Sequence, residues 1–251
     1  MANWSDPRVS AGPYATSDGR SEARDAGLRA YMLSVYNYML SGVLLTGILA
    51  LVFAYVGELQ QLIVQVTPQG YAPTLLGWIV TLSPLAIVFA MSFGMNRMSE
   101  STLKTLFFLY AGLLGASLST IFLAYTATSI AQVFFATAAG FGALSLYGYT
   151  TKKDLSGLGT FLLMGLIGLI VAMVVNLFLQ SGMMSLVISA IGVLIFAGLT
   201  AYDTQKIKSV YQHVAGTEMM GKVVIMGALN LYLDFINMFL FLLRLFGGGR
   251  D

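Results

Sequence analysis

Asp203 and Asp234 are the two acidic side chains that fall within long apolar runs of this sequence. A carboxylate held at bilayer depth is costly, so an acid in such a run is by default a functional hypothesis. Thirty-one residues separate the two, and Gly216 lies near the middle of the connection. In an antiparallel hairpin turning around residue 218 they would reach similar depth and could face each other. Two carboxyls within a few ångströms cannot both ionise cheaply; they share a proton and titrate as a unit. The chemistry on offer is therefore a proton-sensitive latch between two helices. A local alternative pairs Asp203 with Lys206 at i, i+3 as a surface contact, which applies if the helix ends before Asp203.

Asp234 does not stand alone on its helix. At 100° per residue, Asn230, Asp234, Asn237 and Arg244 share one face, a stripe roughly 80° wide. Such a stripe cannot face lipid, so the helix that carries it is expected at the centre of a bundle, its polar side turned to other helices or to a water-filled cavity. The plainer reading, a hydrogen-bonded core that holds helices together, weighs about equally until the partner of Asp234 is known.

The elements that must position these residues follow from composition. Of 251 residues, 57% are hydrophobic and 10% charged, where a soluble domain carries roughly a quarter charged. A hydrocarbon core of roughly 30 Å takes about 20 apolar residues in helix. Segments of that length recur at 33–56, 75–95, 105–125, 129–149, 158–179, 185–203 and 223–243. The expected fold is an all-α membrane protein of seven transmembrane helices, the last of them central. Residues 1–30 read as a polar tail, disordered through about residue 27, residues 31–246 as the membrane domain, and 247–251 as a short tail. The third and fourth spans, divided only by Thr126, Ala127 and Thr128, imply a tight antiparallel hairpin. Pro84 is expected to kink the second span, and the glycine-rich stretches 136–142 and 159–168 to be helix contact faces.

Basic residues test this topology, because they accumulate in short cytoplasmic loops. Arg8, Arg20, Arg24, Arg29, Arg97, Lys104, Lys152, Lys153, Lys206, Lys208 and Lys222 all fall on one side, and the loops 57–74, 126–128 and 180–184 contain none. The amino terminus is expected to be cytoplasmic. Seven full crossings put the carboxyl terminus outside, where Arg244 and Arg250 run against the rule; a re-entrant last segment would return the tail to the cytoplasm.

Several other chemistries find no support. There is no cysteine, hence no thiolate nucleophile, disulfide or cysteine metal site. The one histidine, His213, reads as a solvated loop residue and not as the base of an intramembrane serine protease. Tyr202 with Asp203 echoes half of the intramembrane aspartyl protease pattern, but Asp234 follows Leu231, Tyr232 and Leu233 where that class has a Gly-x-Gly run. Glu58, Glu100, Asp154 and Glu218 read as solvated charges. A net charge of +2 without a basic patch gives no reason to expect a nucleic-acid partner. No enzymatic activity and no resident cofactor are expected.

Residues 196–211, FAGLTAYDTQKIKSVY, and 228–247, ALNLYLDFINMFLFLLRLFG, closely resemble the two most characteristic stretches of the Bax inhibitor-1 family, especially its bacterial branch. SFGMNRMS at 92–99 and LYGYTTKKDLS at 146–156 support the likeness, which covers nearly everything after about residue 30. The resemblance implies a seven-helix protein of the bacterial inner membrane whose last helix is surrounded by the other six. It also implies a calcium-permeable leak gated by pH through an aspartate pair matching Asp203 and Asp234, which would be the calcium contacts. An arginine at the end of the second helix engages the pair in the bacterial branch, with Arg97 the nearest candidate and Asn96 its neighbour in register. Asn230 and Asn237 are candidate pore-lining groups. Some relatives carry a glutamate within the second helix; Leu82, Ser83, Pro84 and Leu85 stand there instead. Expected partners are the lipid bilayer and calcium, with a monomer as the default state. The rival reading is an interaction protein that modulates a membrane-anchored ATP-dependent protease.

Overall fold

The computed structural model describes residues 17–249 with the exception of residue 69. In chain order it contains α1 (Ser17–Tyr55), α2 (Gly57–Ile63), β1 (Val64–Thr67), β2 (Gly70–Pro73), α3 (Leu75–Gly94), α4 (Glu100–Leu118) and α5 (Ile121–Ala124). There follow α6 (Ala127–Thr150), α7 (Ser156–Leu179), α8 (Gly182–Val214) and α9 (Met219–Phe246). Among the described residues seven helices are long and apolar enough to cross a membrane, with α4 and α5 together forming the third. The chain is an all-α membrane protein in architecture, the one pair of strands among the described residues being a short hairpin.

Four helix starts are set by hydroxyl caps, which satisfy amides left free in the first turn. Thr74, Ser99, Thr126 and Ser181 accept hydrogen bonds from the amides of Gly77, Thr102, Ser129 and Met184. Pro84 lies inside a continuous α3. It removes the amide that would serve the Val80 carbonyl, and the Ser83 hydroxyl donates to that carbonyl at 3.3 Å.

The last crossing helix is the buried one. Of its apolar window 67% is buried, against at most 33% for any other span. Its principal neighbours are α1, α4, α6 and α8, while α3 packs on α4 and α7 on α8. Four spans thus pack most closely on the last helix, while the second and fifth pack mainly on α4 and α8. Tyr232 of α9 lies edge-on to Phe107 and Tyr110, at 6.0 and 5.5 Å between ring centroids. Its hydroxyl is 2.6 Å from Thr46 Oγ1, which donates to the Ala111 carbonyl. Phe235 packs against Phe134 and Phe141 of α6.

Glycines set the close crossings, because small residues let helices approach in lipid. A Cβ on Gly148 would sit 2.2 Å from the Ala201 carbonyl oxygen, and one on Gly159 would enter the Tyr202 ring. Gly140 and Gly142, by contrast, have nothing within 4 Å of a Cβ. The stretch 136–142 therefore offers open space at its glycines instead of the expected contact face.

Other expectations also change. The polar tail is helical from Ser17 on, so the boundary at residue 31 falls inside α1; residues 1–16, with Asp6 and Arg8, lie outside the described residues. The loop 57–74 folds into α2 and the antiparallel β1–β2 hairpin, pairing Val64 with Pro73. Ile63 and Val64 bury against Ala116. α4 and α6 do not pack extensively on each other, each packing instead on α9, so the third and fourth spans do not form the tight hairpin expected from their short linker. His213 lies in the last turn of α8, exposed, and not in a loop.

The carboxyl-terminal end is settled by hydrogen bonds. The Gly248 amide donates to Ser129 Oγ at 2.8 Å, the Thr126 amide donates to the Gly248 carbonyl, and Tyr125 bridges Gly249. Residues 248 and 249 therefore sit beside the 126–128 turn, across the bundle from the basic loops. α9 is a full crossing and not a re-entrant segment; Arg250 is outside the described residues.

Candidate functional site

α8 runs on to Val214, well past Asp203, so that side chain projects from the body of a helix. The chain reverses at residues 215–218, where Gly216 takes φ of +75°, a left-handed conformation that glycine adopts without strain. α9 then returns along α8 as its most extensively packed neighbour. This hairpin brings Asp203 and Asp234 to one cavity of about 620 Å³.

Four helices wall the cavity. α9 supplies Asn230, Asp234, Asn237 and Arg244, the whole of the expected stripe. α8 supplies Tyr202, Asp203 and Lys206. The remaining wall is apolar, with Leu85 from α3 and leucines such as Leu166 from α7. Because α3 and α7 are the two spans that pack mainly on α4 and α8, the cavity occupies the space between them. The titratable and charged groups that face it are Tyr202, Asp203, Lys206, Asp234 and Arg244; α3 and α7 contribute none.

Asp234 is 4% exposed, and its Oδ2 is one of two buried side-chain polar atoms without a hydrogen-bond partner among the described residues, the Tyr31 hydroxyl being the other. An unpartnered buried carboxyl oxygen costs about 1–3 kcal/mol or more, so the arrangement is poor as structural glue. The plainer reading of the stripe as a hydrogen-bonded core finds no partner for this oxygen among the described side chains. The charge of Asp203 bears on Asp234, and that of Lys206 on Asp203. Lys206 forms no ion pair; its Nζ lies 5.8 Å from the centre of the Tyr202 ring, and the sole ion pair among the described residues joins Lys104 to Glu100. Asn237 spends its amide nitrogen on the Leu233 carbonyl at 2.8 Å, which leaves its carbonyl oxygen for the cavity.

Arg97 is elsewhere. It is exposed in the turn after α3, as is Asn96, and does not line the cavity. The cations placed with the aspartates are Lys206 and Arg244 instead. The signal for Lys206 was present in its i, i+3 spacing from Asp203, but spacing alone did not show that the shared face points inward. Asp154, in the loop before α7, behaves as the solvated charge it was taken for: the Ser156 hydroxyl and backbone amide hold its carboxyl below the usual range, so it stays ionised. Among the described residues no three His, Cys, Asp or Glu side chains come together as a metal cluster.

A family model described as inhibitor of apoptosis-promoting Bax1 matches residues 28–251. The chain belongs to the Bax inhibitor-1 family. Its relatives in that family include an uncharacterized protein, RP147, of Rickettsia prowazekii, 48% identical over 94% of this chain and 97% of that protein. The inner membrane protein YbhL of Escherichia coli K12 is 46% identical over 94% of this chain and 99% of its own length. An uncharacterized membrane protein of Streptococcus pyogenes is 41% identical over 89% and 94%. The family likeness spans every helix that lines the cavity, so the aspartate site lies within the shared membrane domain.

Proposed function

We propose that this protein is a pH-sensitive calcium leak of the bacterial inner membrane, its amino terminus cytoplasmic, and that it works as a conduit without enzymatic activity. The observation that carries the reading is a buried acid with an unpartnered oxygen, Asp234, lining one cavity with a second acid from the neighbouring helix. With one proton between them, Asp203 and Asp234 hold α8 to α9 and keep the cavity closed. Once that proton leaves, two carboxylates repel, and Lys206 can take up that of Asp203 while the freed oxygens face the cavity.

Calcium is the ion that suits those oxygens, since it takes hard oxygen ligands in flexible geometry. Two carboxylates, each binding through one or both oxygens, and the amide carbonyls of Asn230 and Asn237 supply four to six oxygens, at the lower edge of its usual six to eight ligands or below it. Such a set favours passage over storage. The inner membrane fits a chain with seven apolar helices whose Escherichia coli relative bears that location in its name.

The test is calcium flux into liposomes containing the purified protein, measured against pH. Flux should rise with pH as the shared proton is lost, and Asp203→Asn and Asp234→Asn should flatten the profile. Profiles in both variants that match the wild type would remove the aspartates from the gate.

A further inference from the structure

Away from α3 and α7, a second groove of about 740 Å³ opens between α1 and α6. Its walls are apolar, and its residues on α1 run from Arg29 through Met32, Tyr36 and Leu40 to Leu44 at helical spacing. Fifteen residues at 1.5 Å each make a channel roughly 22 Å long, against roughly 15 Å for one leaflet's hydrocarbon. Gly142 lines it with nothing within 4 Å of a Cβ, and Leu40 and Leu44 are more than half exposed. Its polar floor is already satisfied: the Tyr36 and Ser145 hydroxyls bond each other, and Ser145 is 3.0 Å from Thr204 Oγ1.

At the basic side of the bundle the groove runs into a polar cavity of about 580 Å³, with which it shares Arg29 and Tyr149. Arg24, Arg29 and Lys208 line that cavity against a single acid, Asp25. Lys208 is engaged, donating to the Tyr149 carbonyl at 2.7 Å and lying over the Tyr149 ring. Arg24 and Arg29 are in no ion pair among the described residues. Guanidinium groups bind phosphate oxygens in pairs. An apolar trough long enough for an acyl chain, ending on the basic side of the bundle at two arginines without an ion pair among the described residues, has the charge and length that suit a single lipid.

We propose that the α1–α6 groove and its basic vestibule bind one anionic glycerophospholipid from the leaflet on the basic side, its phosphate on Arg24 and Arg29 and one acyl chain laid along Gly142. The assignment requires only that the bundle spans the membrane and is independent of the calcium leak.

Native mass spectrometry of the full chain, released from nanodiscs of equimolar phosphatidylglycerol and phosphatidylcholine with identical chains, tests it. Wild type should retain one phosphatidylglycerol in preference to phosphatidylcholine by on the order of tenfold, since each basic residue near an anionic lipid surface contributes about 1 kcal/mol. The exposed-charge variant Arg24→Gln/Arg29→Gln should lose the preference. Gly142→Leu, whose side chain has room to enter the trough, should lower retention of both lipids while the protein still elutes as folded. Equal retention of the two lipids by wild type, a preference that survives the double substitution, or a dimer whose second copy fills the groove would each overturn the proposal.

Discussion

At the scale of single residues, Asp234 is where stability and function pull apart. Removing a buried acid whose Oδ2 has no partner takes away an unmet demand for solvation. At alkaline pH, where the pair has lost its shared proton and no longer holds α8 to α9, Asp234→Leu should therefore raise the thermal midpoint in detergent, by an amount corresponding to about 1–3 kcal/mol, while abolishing the pH response of flux. A lowered midpoint would mean that Oδ2 is satisfied in the working protein and that the acid is structural. Asp203 differs, because it is only partly buried and has Lys206 one turn away. Its removal should change stability less than that of Asp234, in the same melts. The presence of both acids in apolar runs was legible from the sequence, because charge in such a run is rare. That the central acid would lack a hydrogen bond depends on side chains from other helices and could not be read from spacing.

At the scale of elements, the close crossings rest on glycines whose neighbours are backbone. Gly148→Ala puts a methyl 2.2 Å from the Ala201 carbonyl oxygen, and a helix backbone cannot step aside as a side chain can. That substitution should lower the thermal midpoint by the equivalent of about 1–3 kcal/mol, read by the same melting experiment, because α6 and α8 must move apart. Ala or Leu at Gly142 should be tolerated, since its surroundings are open. The two glycines lie six residues apart on one helix, and local sequence does not distinguish them. The extension of α8 to Val214 was similarly hidden: the polar run after Asp203 reads as the end of a span, yet it continues as helix because its buried face still has α9 and α6 to pack on.

At the scale of the whole molecule, the order of the seven helices puts the start of α1 and the end of α9 on opposite sides. The absence of native cysteine makes this easy to test with an impermeant maleimide. In intact spheroplasts Gly249→Cys should label and Lys152→Cys should not, the latter reacting only after the membrane is opened. Labelling of both from one side would remove the seventh crossing. The same arrangement packs α3 and α7 mainly on α4 and α8, with the aspartate cavity between them and the lipid-sized groove on the α1–α6 flank. Two cavities on different flanks of one central helix can then be altered separately, one by charge at Asp203 and Asp234, the other by bulk at Gly142.

Length and hydrophobic periodicity by themselves determined that the chain crosses a bilayer seven times, which side collects the basic residues, and which face of the last helix is polar. Each of these depends on one segment and its solvent, and a run of about 20 apolar residues has few other places to go. Only the tertiary structure decided which helices meet across that polar face, that Lys206 and Arg244 and not Arg97 line the cavity with the acids, and that Gly140 and Gly142 face open space. Those outcomes come from packing several helices at once, where shape across space selects the neighbour and distance along the chain does not.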